Sequence, residues 1–364
     1  MFNGVFQSSR VLITGFSGFK GSWLALWLSE LGATVSGISS GRSERENLNL
    51  FGLRKRVRVY DCDLSNLKET KRIVNETKPQ FVFHLAAQSL VAKAILNPVE
   101  TVRNNIDATV NLLESMRLLN HPLVAIFAST DQVYENKPGY HVYRETDKLR
   151  GRGDIYSASK TCCEILIGSY YDSYFSKDDN VRIASVRTNN IIGGGDWQTT
   201  RLIPGCIMAW LKNEQVVLRQ PKEVRPWQFV LEPLSGYLSV AQLLSENARY
   251  SGESFNFASS SKAVITVEEL VDNLSKMFIA NPGYKLAQHD ASARATSLWV
   301  TLNTDKANNL LGWESVMEIK EVVSMIAEWY TTYCQAPEKV EQLTKTQLSR
   351  FVEMAKSKNL KWAA

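Results

Sequence analysis

The sequence predicts an α/β fold: a doubly wound parallel sheet with a smaller C-terminal lobe. Three observations predict it. Short apolar runs alternate with helical patterns from Arg10 to Arg187, which is the rhythm of parallel strands joined by crossover helices. A glycine-rich turn, Gly15 to Gly21, closes the first run and opens the first helix, the position at which a Rossmann-type sheet takes a dinucleotide. After Ile192 the rhythm breaks into shorter, irregular pieces. The 364 residues leave room for a sheet and a lobe at roughly 100–200 residues per domain. The expected division is a dinucleotide-binding domain over 1–190, with return segments at about 228–260, and a substrate-binding lobe built from 191–227 and 261–364.

Taken in order, residues 10–15 read RVLITG, an apolar run of buried-strand type ending in glycine. Apolar residues then recur with helical spacing over 22–31. Further strands are expected at 34–38, 57–62, 81–85, 124–128 and 183–187, with helices between them, notably at 101–118 and 157–174. Residues 193–197, GGGDW, read as a loop. Beyond it, 202–212, 236–248, 267–278 and 319–333 read as helices, 216–219 as a strand, and 338–364 as a polar helical tail with a solvated, lysine-rich end at 356–361. Trp23 and Trp27 lie four apart on the first helix and are read as core. Glu232 is read as a buried structural carboxylate.

Composition narrows the function. The chain is 44% hydrophobic and 22% charged, which excludes disorder, collagen and coiled coil. The net charge of +5 is small and spread out; it suits anionic metabolites and does not argue for nucleic acid. No run reaches the ~18 apolar residues of a membrane span. Residues 1–10 lack the basic and apolar regions of a signal peptide, so a cytoplasmic protein is expected, with no membrane partner. The cysteines (Cys62, Cys162, Cys163, Cys206, Cys334) form no CxxC pair and are read as reduced thiols. The four histidines, His84, His121, His141 and His289, lie far apart, and no metal site is expected.

The turn Gly15-Phe16-Ser17-Gly18-Phe19-Lys20-Gly21 has the spacing GxxGxxG. Glycines permit a tight turn and let backbone N–H groups approach a pyrophosphate at the helix N-terminus. A plain glycine turn would look the same in isolation; the strand–turn–helix context supports the nucleotide reading. The end of the second strand selects the ribose. An acid there would bond the 2′-hydroxyl of NAD, and an arginine would take the 2′-phosphate of NADP. Here the chain reads Ser39-Ser40-Gly41-Arg42-Ser43-Glu44-Arg45. NADP(H) is favoured and NAD(H) remains possible. Asp63 and Leu64, just past the third strand, are placed to meet the adenine, and His84 ends the fourth strand near the cofactor.

The chemistry is carried by Tyr156-Ser157-Ala158-Ser159-Lys160. Tyr156 and Lys160 share one helix face. A free phenol, with a pKa of ~10, is a poor base at neutral pH, and a nearby ammonium is expected to favour the phenolate. Thr130, at the end of a strand, can share the substrate oxygen with Tyr156.

Together these motifs resemble the extended short-chain dehydrogenase/reductases that act on nucleotide sugars, and among them the CDP-glucose 4,6-dehydratases. The resemblance runs through GFSGFKGSWL (15–24), HLAAQSLV (84–91), NPVET (97–101), YSASK (156–160), IIGGGDW (191–197), RLIP (201–204), VRPWQFVLEPLSGYL (224–238), GESFNFA (252–258) and LGW (311–313). It implies that Tyr156 moves a proton while hydride moves to or from nicotinamide, assisted by Lys160 and Thr130, with Asp131 and Gln132 at the sugar. It implies cofactor contacts from Gly15, Ser17, Gly18, Phe19, Lys20, Gly21, Ser40, Arg42, Asp63, Leu64, Leu85, Ala86, Ala87, Asn104 and Lys160. Substrate contacts would come from Gln88, Asn189, Asn190, Arg201, Leu202, Arg219 and Arg225. A homodimer through 101–118 and 157–174, and a setting in bacterial capsule or O-antigen sugar synthesis, are further implications.

The chain also departs from that family. Gln132 stands where the family carries an ionisable Lys or Glu, and an amide cannot accept a proton at neutral pH. Thr188-Asn189-Asn190 replaces a small residue and glycine before the Asn. Ala94-Ile95, Ala295-Thr296 and Phe229 are further replacements, and Arg42 replaces an apolar, proline-containing turn. The expectation is an NADP(H)-dependent net reductase of a CDP-linked sugar, with CDP-glucose 4,6-dehydratase carrying tightly bound NAD as the alternative. A binding scaffold without turnover would have no use for Tyr156, Lys160 and Thr130 together.

Overall fold

A computed structural model describes the chain except residues 41–45, 138, 178–179, 260–263, 279–281 and 288–299. The strands, in chain order, begin with β1 (Arg10–Thr14), β2 (Thr34–Ser39), β3 (Val57–Asp61), β4 (Phe81–His84) and β5 (Leu123–Ala128). They continue with β6 (His141–Tyr143), β7 (Val181–Thr188), β8 (Asn190–Ile192), β9 (Val216–Leu218), β10 (Val224–Phe229) and β11 (Ser254–Phe257). Seven of them form a sheet in the order β11-β7-β5-β4-β1-β2-β3, paired in parallel throughout. The order reverses between β1 and β4, and ligands of such sheets bind in the crevice beyond the strand ends at that switch point.

The strands are continuous apolar runs because both faces are buried. Along β1, Val11 and Ile13 enter one core and Leu12 the other; β5 alternates likewise, with Val124 and Ile126 opposite Ala125 and Phe127. The helices α1 (Phe19–Glu30), α2 (Glu46–Leu50), α3 (Leu67–Thr77), α4 (Val91–Leu96), α5 (Pro98–Val102), α6 (Ala108–Arg117) and α7 (Ile155–Ser173) lie along the first half of the chain. One core takes Ile73 and Val74 of α3, Leu112 and Met116 of α6, and Ile167 of α7. The other takes α1 and extends into the second half, which holds α8 (Leu202–Leu211), α9 (Leu231–Glu246), α10 (Val267–Ser275), α11 (Asp305–Leu311), α12 (Ile319–Gln335) and α13 (Val340–Ser357).

Four features differ from the sequence reading. The sheet has a seventh strand, β11, only four residues long, at its edge. The helix expected over 101–118 is broken by a π-helical turn at Arg103–Asp107. Helix α9 begins at Leu231, five residues before the expected start, directly after β10. The tail is solvated at its lysines, but Leu360, Trp362 and Ala363 are buried. Trp362 stacks on Phe2 at 5.4 Å and meets Trp27 edge-on at 5.7 Å, so the chain end packs on α1 and the N-terminal turn. Both Trp23 and Trp27 are fully buried, as expected. Among the described residues, no helix is long and apolar enough to cross a membrane, and no group of three or more His, Cys, Asp or Glu could hold a metal ion.

Candidate active site

β1 delivers the chain to Gly15, whose φ of 68° lies in the left-handed region. A Cβ on Gly15 would stand 2.8 Å from Ala86 Cα, and one on Gly21 would stand 2.2 Å from the Gly15 carbonyl oxygen. The helix therefore packs on the turn with no space for side chains. Gly18 caps α1 without a side-chain acceptor, and the first turn holds no acid. Its N–H groups and the helix dipole suit an anion. Ser17 Oγ lies 2.6 Å from Ser39 Oγ and ties the turn to the end of β2. These features fit the pyrophosphate and ribose side of a dinucleotide. Ser40 is exposed just past β2, and Arg42 lies outside the described residues. Asp63 is exposed and accepts from Ser65 N (2.9 Å), whereas Leu64 is buried and its carbonyl accepts from Asn111 Nδ2 (2.8 Å).

Below the turn, Thr14 Oγ1 accepts from Ala86 N at 3.2 Å and meets His84 Nδ1 at 2.7 Å. His84 Nε2 lies 3.2 Å from Thr109 Oγ1. Burial, with the Lys160 charge adding to it, pushes the ring down to about 3, so His84 is a neutral brace under Leu85, Ala86 and Ala87. Lys20 is half-buried, and its ammonium lies 3.4 Å from Tyr237 Oη. Burial, then the Arg201 charge, lowers it to about 8.

Helix α7 is capped by Asp154, whose Oδ1 accepts from Ser157 N at 2.9 Å. This start places Tyr156 and Lys160 beside the end of β5. Lys160 Nζ donates to the Ala128 carbonyl at 2.8 Å, and burial lowers its pKa. The sequence reading has Lys160 favouring the phenolate; here burial acts on the phenol more strongly than any neighbouring charge. Burial pushes Tyr156 up to about 12, opposed by a hydrogen bond with the Thr130 side chain. Tyr156 is thus a neutral phenol, suited to giving a proton.

Next to it, Asp131 accepts three side-chain hydrogen bonds. Oδ1 takes one from Thr130 Oγ1 (3.1 Å), and Oδ2 takes one each from Arg152 Nη2 (2.9 Å) and Asn189 Nδ2 (3.3 Å). Gln132 Oε1 lies 3.2 Å from Ser157 Oγ, whose one proton has a shorter acceptor in Asp154 Oδ2 at 2.6 Å. Arg152 escaped the sequence reading because Gly151-Arg152-Gly153 looks like any polar turn, and its partner is 21 residues away.

The remaining residues divide. Gln88, expected at the substrate, spends its amide within its own loop: Oε1 accepts from Leu90 N (2.7 Å), and Nε2 donates to Leu90 O (3.1 Å) and Thr101 Oγ1 (2.9 Å). These bonds shape the loop. The Gln88 backbone is held by Asn105, which also donates to Ser159 Oγ at 2.8 Å; the expected neighbour Asn104 is half-buried in the π-helical turn. Arg201 donates to Asp196 Oδ2 and Ser89 Oγ, each at 2.9 Å, and bridges the GGGDW loop to the loop after β4. Arg225 pairs with Glu223 at 2.7 Å, Arg219 is exposed, and Asn190 and Leu202 are half-buried at the starts of β8 and α8. The GGGDW loop itself is packed: a Cβ on Gly194 would sit 2.2 Å from the Trp329 ring, and Trp23 Nε1 donates to Gly194 O at 2.9 Å.

A parallel sheet with this turn at its switch point, and a Tyr-x-x-x-Lys pair beside a strand-end threonine, defines an extended short-chain dehydrogenase/reductase. The profile of the GDP-mannose 4,6 dehydratase family matches residues 12–326, and the chain belongs to that family, whose enzymes are nucleotide-sugar dehydratases and epimerases. It is 36% identical over 333 residues to the CDP-glucose 4,6-dehydratase of Salmonella typhimurium, covering 90% of this chain and 92% of that one. An epimerase from Methanothermobacter thermautotrophicus has the same fold, with a TM-score of 0.78 at 21% identity over 93% of this chain and 96% of that one. So does the dTDP-glucose 4,6-dehydratase of Bacillus anthracis, solved with NAD, at a TM-score of 0.72 and 19% identity over 88% and 96%.

Proposed function

We propose that this enzyme is a net reductase: an NADP(H)-dependent oxidoreductase acting on a CDP-linked sugar without loss of water. Gln132 carries the reading. Elimination needs one group to take a proton from carbon and another to protonate the departing hydroxyl. The Gln132 amide cannot take that proton. Hydride transfer asks for less, and Tyr156, Thr130 and Lys160 meet it.

When bound, the nicotinamide cofactor supplies or accepts a hydride. Gly15, Gly18 and Gly21 with the first turn of α1 would hold its pyrophosphate, and Lys160 its ribose. Tyr156 gives its phenol proton to the oxygen of the carbonyl being reduced, and C=O becomes CH–OH. Thr130 Oγ1 would orient that oxygen by turning its proton from Asp131 Oδ1 to it. The support for NADP(H) is the sequence after β2, where no acid precedes Arg42; NAD(H) would fit the same turn. The support for a CDP-linked sugar is the 36% identity to a CDP-glucose 4,6-dehydratase. That identity also favours a second reading, a true CDP-glucose 4,6-dehydratase with tightly held NAD. A homodimer belongs to the proposal: Leu118 and Ile165, in the segments expected to pair, are exposed apolar residues. A cytoplasmic role in surface-polysaccharide sugar synthesis completes it.

The test is incubation with CDP-glucose, without and with added NAD, while NADPH oxidation is followed with CDP-linked keto sugars. NADPH consumption without a 4-keto-6-deoxy product is expected. Appearance of the 4-keto-6-deoxy sugar would replace the reductase reading with the dehydratase.

A further inference from the structure

Asn189 is buried just after β7, and half of its amide is used. Nδ2 donates to Asp131 Oδ2 at 3.3 Å, while Oδ1 is buried without a partner among the described residues. The orientation follows from chemistry. Asp131 already accepts from Arg152 at 2.9 Å and from Thr130 at 3.1 Å. A carboxylate in that role offers no proton, so the amide turns its nitrogen inward and leaves its oxygen unmatched. A buried acceptor with no donor is costly, and its partner is to be sought in a water, an ion or a ligand; Asn189 Oδ1 differs from the other such atoms, Gln228 Oε1 and Gln347 Oε1 among them, in belonging to a side chain bonded to Asp131.

The neighbours name the ligand. Thr130, which hydrogen-bonds Tyr156, is adjacent to Asp131 in sequence and bonded to it. This chain of bonds links Asn189 through Asp131 and Thr130 to Tyr156, so the ligand group considered is the sugar whose carbonyl meets Tyr156. On a sugar, the group that donates one hydrogen bond is a hydroxyl.

We infer that Asn189, Asp131 and Arg152 form a hydroxyl clamp. Asn189 Oδ1 accepts from a sugar hydroxyl near the reacting carbon, and Arg152 keeps Asp131 as the acceptor that orients Asn189. The hydroxyl is held and stays on the sugar. Asn189 is a specificity residue and Arg152 a positioning residue acting through Asp131. The clamp rests on the proposed net reduction of a nucleotide-linked sugar.

The full-length protein is titrated calorimetrically with CDP-, UDP-, GDP- and dTDP-glucose, then with the singly deoxygenated analogues of the nucleotide sugar that binds. In Asn189→Ala, affinity for the parent compound is expected to fall ~10-fold. One deoxy analogue should bind wild type that weakly and lose nothing further in the variant, while the others lose the same factor. If Asn189→Ala does not fold, wild type alone must still single out one analogue. Arg152→Gln should raise KM for reduction of the keto sugar more than it lowers kcat, and Arg152→Lys should recover part of it. Equal weakening across all analogues, or none for the parent, overturns the clamp while reduction persists. A dehydrated product from wild type, or no binding of any of the four nucleotides, overturns the underlying reading instead.

Discussion

Tyr156 and Lys20 show opposite effects of the same burial. Removing solvent disfavours the charged form of each, so the phenol rises to about 12 and the amine falls to about 8. The phenol therefore keeps its proton across the neutral range, and its proton donation is insensitive to pH there. Lys20 is charged below about 8 and neutral above it, so any anion near the glycine turn loses attraction as pH rises. Between about pH 7 and about 9, KM for the nucleotide ligands should rise while kcat for reduction stays flat. Lys20→Met should flatten the KM profile at its weak-binding end. A kcat that falls with the same midpoint would assign the titration to chemistry and remove Lys20 from binding. Tyr156→Phe keeps the ring and removes the proton. It should lower kcat ~10²- to 10⁴-fold with cofactor affinity unchanged, as read by turnover beside a fluorescence titration of cofactor.

The turn between β1 and α1 is an element whose tolerance is set by backbone contact. Alanine at Gly21 would bring a Cβ to 2.2 Å from the Gly15 oxygen and 2.5 Å from Phe16 Cα, neither of which is a flexible side chain. Gly21→Ala should cost ~1–3 kcal/mol by overpacking and abolish dinucleotide binding, measured by urea unfolding and cofactor titration. Retained binding would mean that α1 can shift without disturbing the pyrophosphate site. This turn was legible because its glycines sit at a strand–helix junction, where their spacing has one physical use. Other elements were not legible, for reasons of the same kind. β11, Ser254–Phe257, reads Ser-Phe-Asn-Phe and lacks the continuous apolar run of the equally short β4, Phe81–His84; it is seen as a strand by its pairing with β7. The π-helical turn at Arg103–Asp107 keeps a helical polarity pattern while changing its register. Gln88 matched a family motif, yet its amide closes on Leu90 and Thr101, a loop geometry that residue type alone does not encode. Asp131 was placed at the sugar by the family resemblance, but its partner Arg152 comes from a turn whose approach depends on the tertiary fold.

At the scale of the whole molecule, the sheet and the second half share a core. Val11, Ile13 and Trp23 belong to the same buried cluster as Trp313, Trp329, Phe351 and Trp362. Arg201 adds a polar tie across the cleft, from Asp196 to Ser89. A sheet and a lobe with separate cores would melt separately, whereas a shared core couples them. Unfolding should therefore be one transition, with far-UV circular dichroism and tryptophan fluorescence coinciding. Trp362 tests the coupling because it lies at the far end of the chain yet packs on Phe2, Trp27 and Phe351. Trp362→Ala removes a fully enclosed indole and should cost ~3–5 kcal/mol, with both probes still moving together to a lower midpoint. Two separated transitions in the variant would show that the contact at Trp362, rather than the shared core beneath it, holds the halves in one cooperative unit.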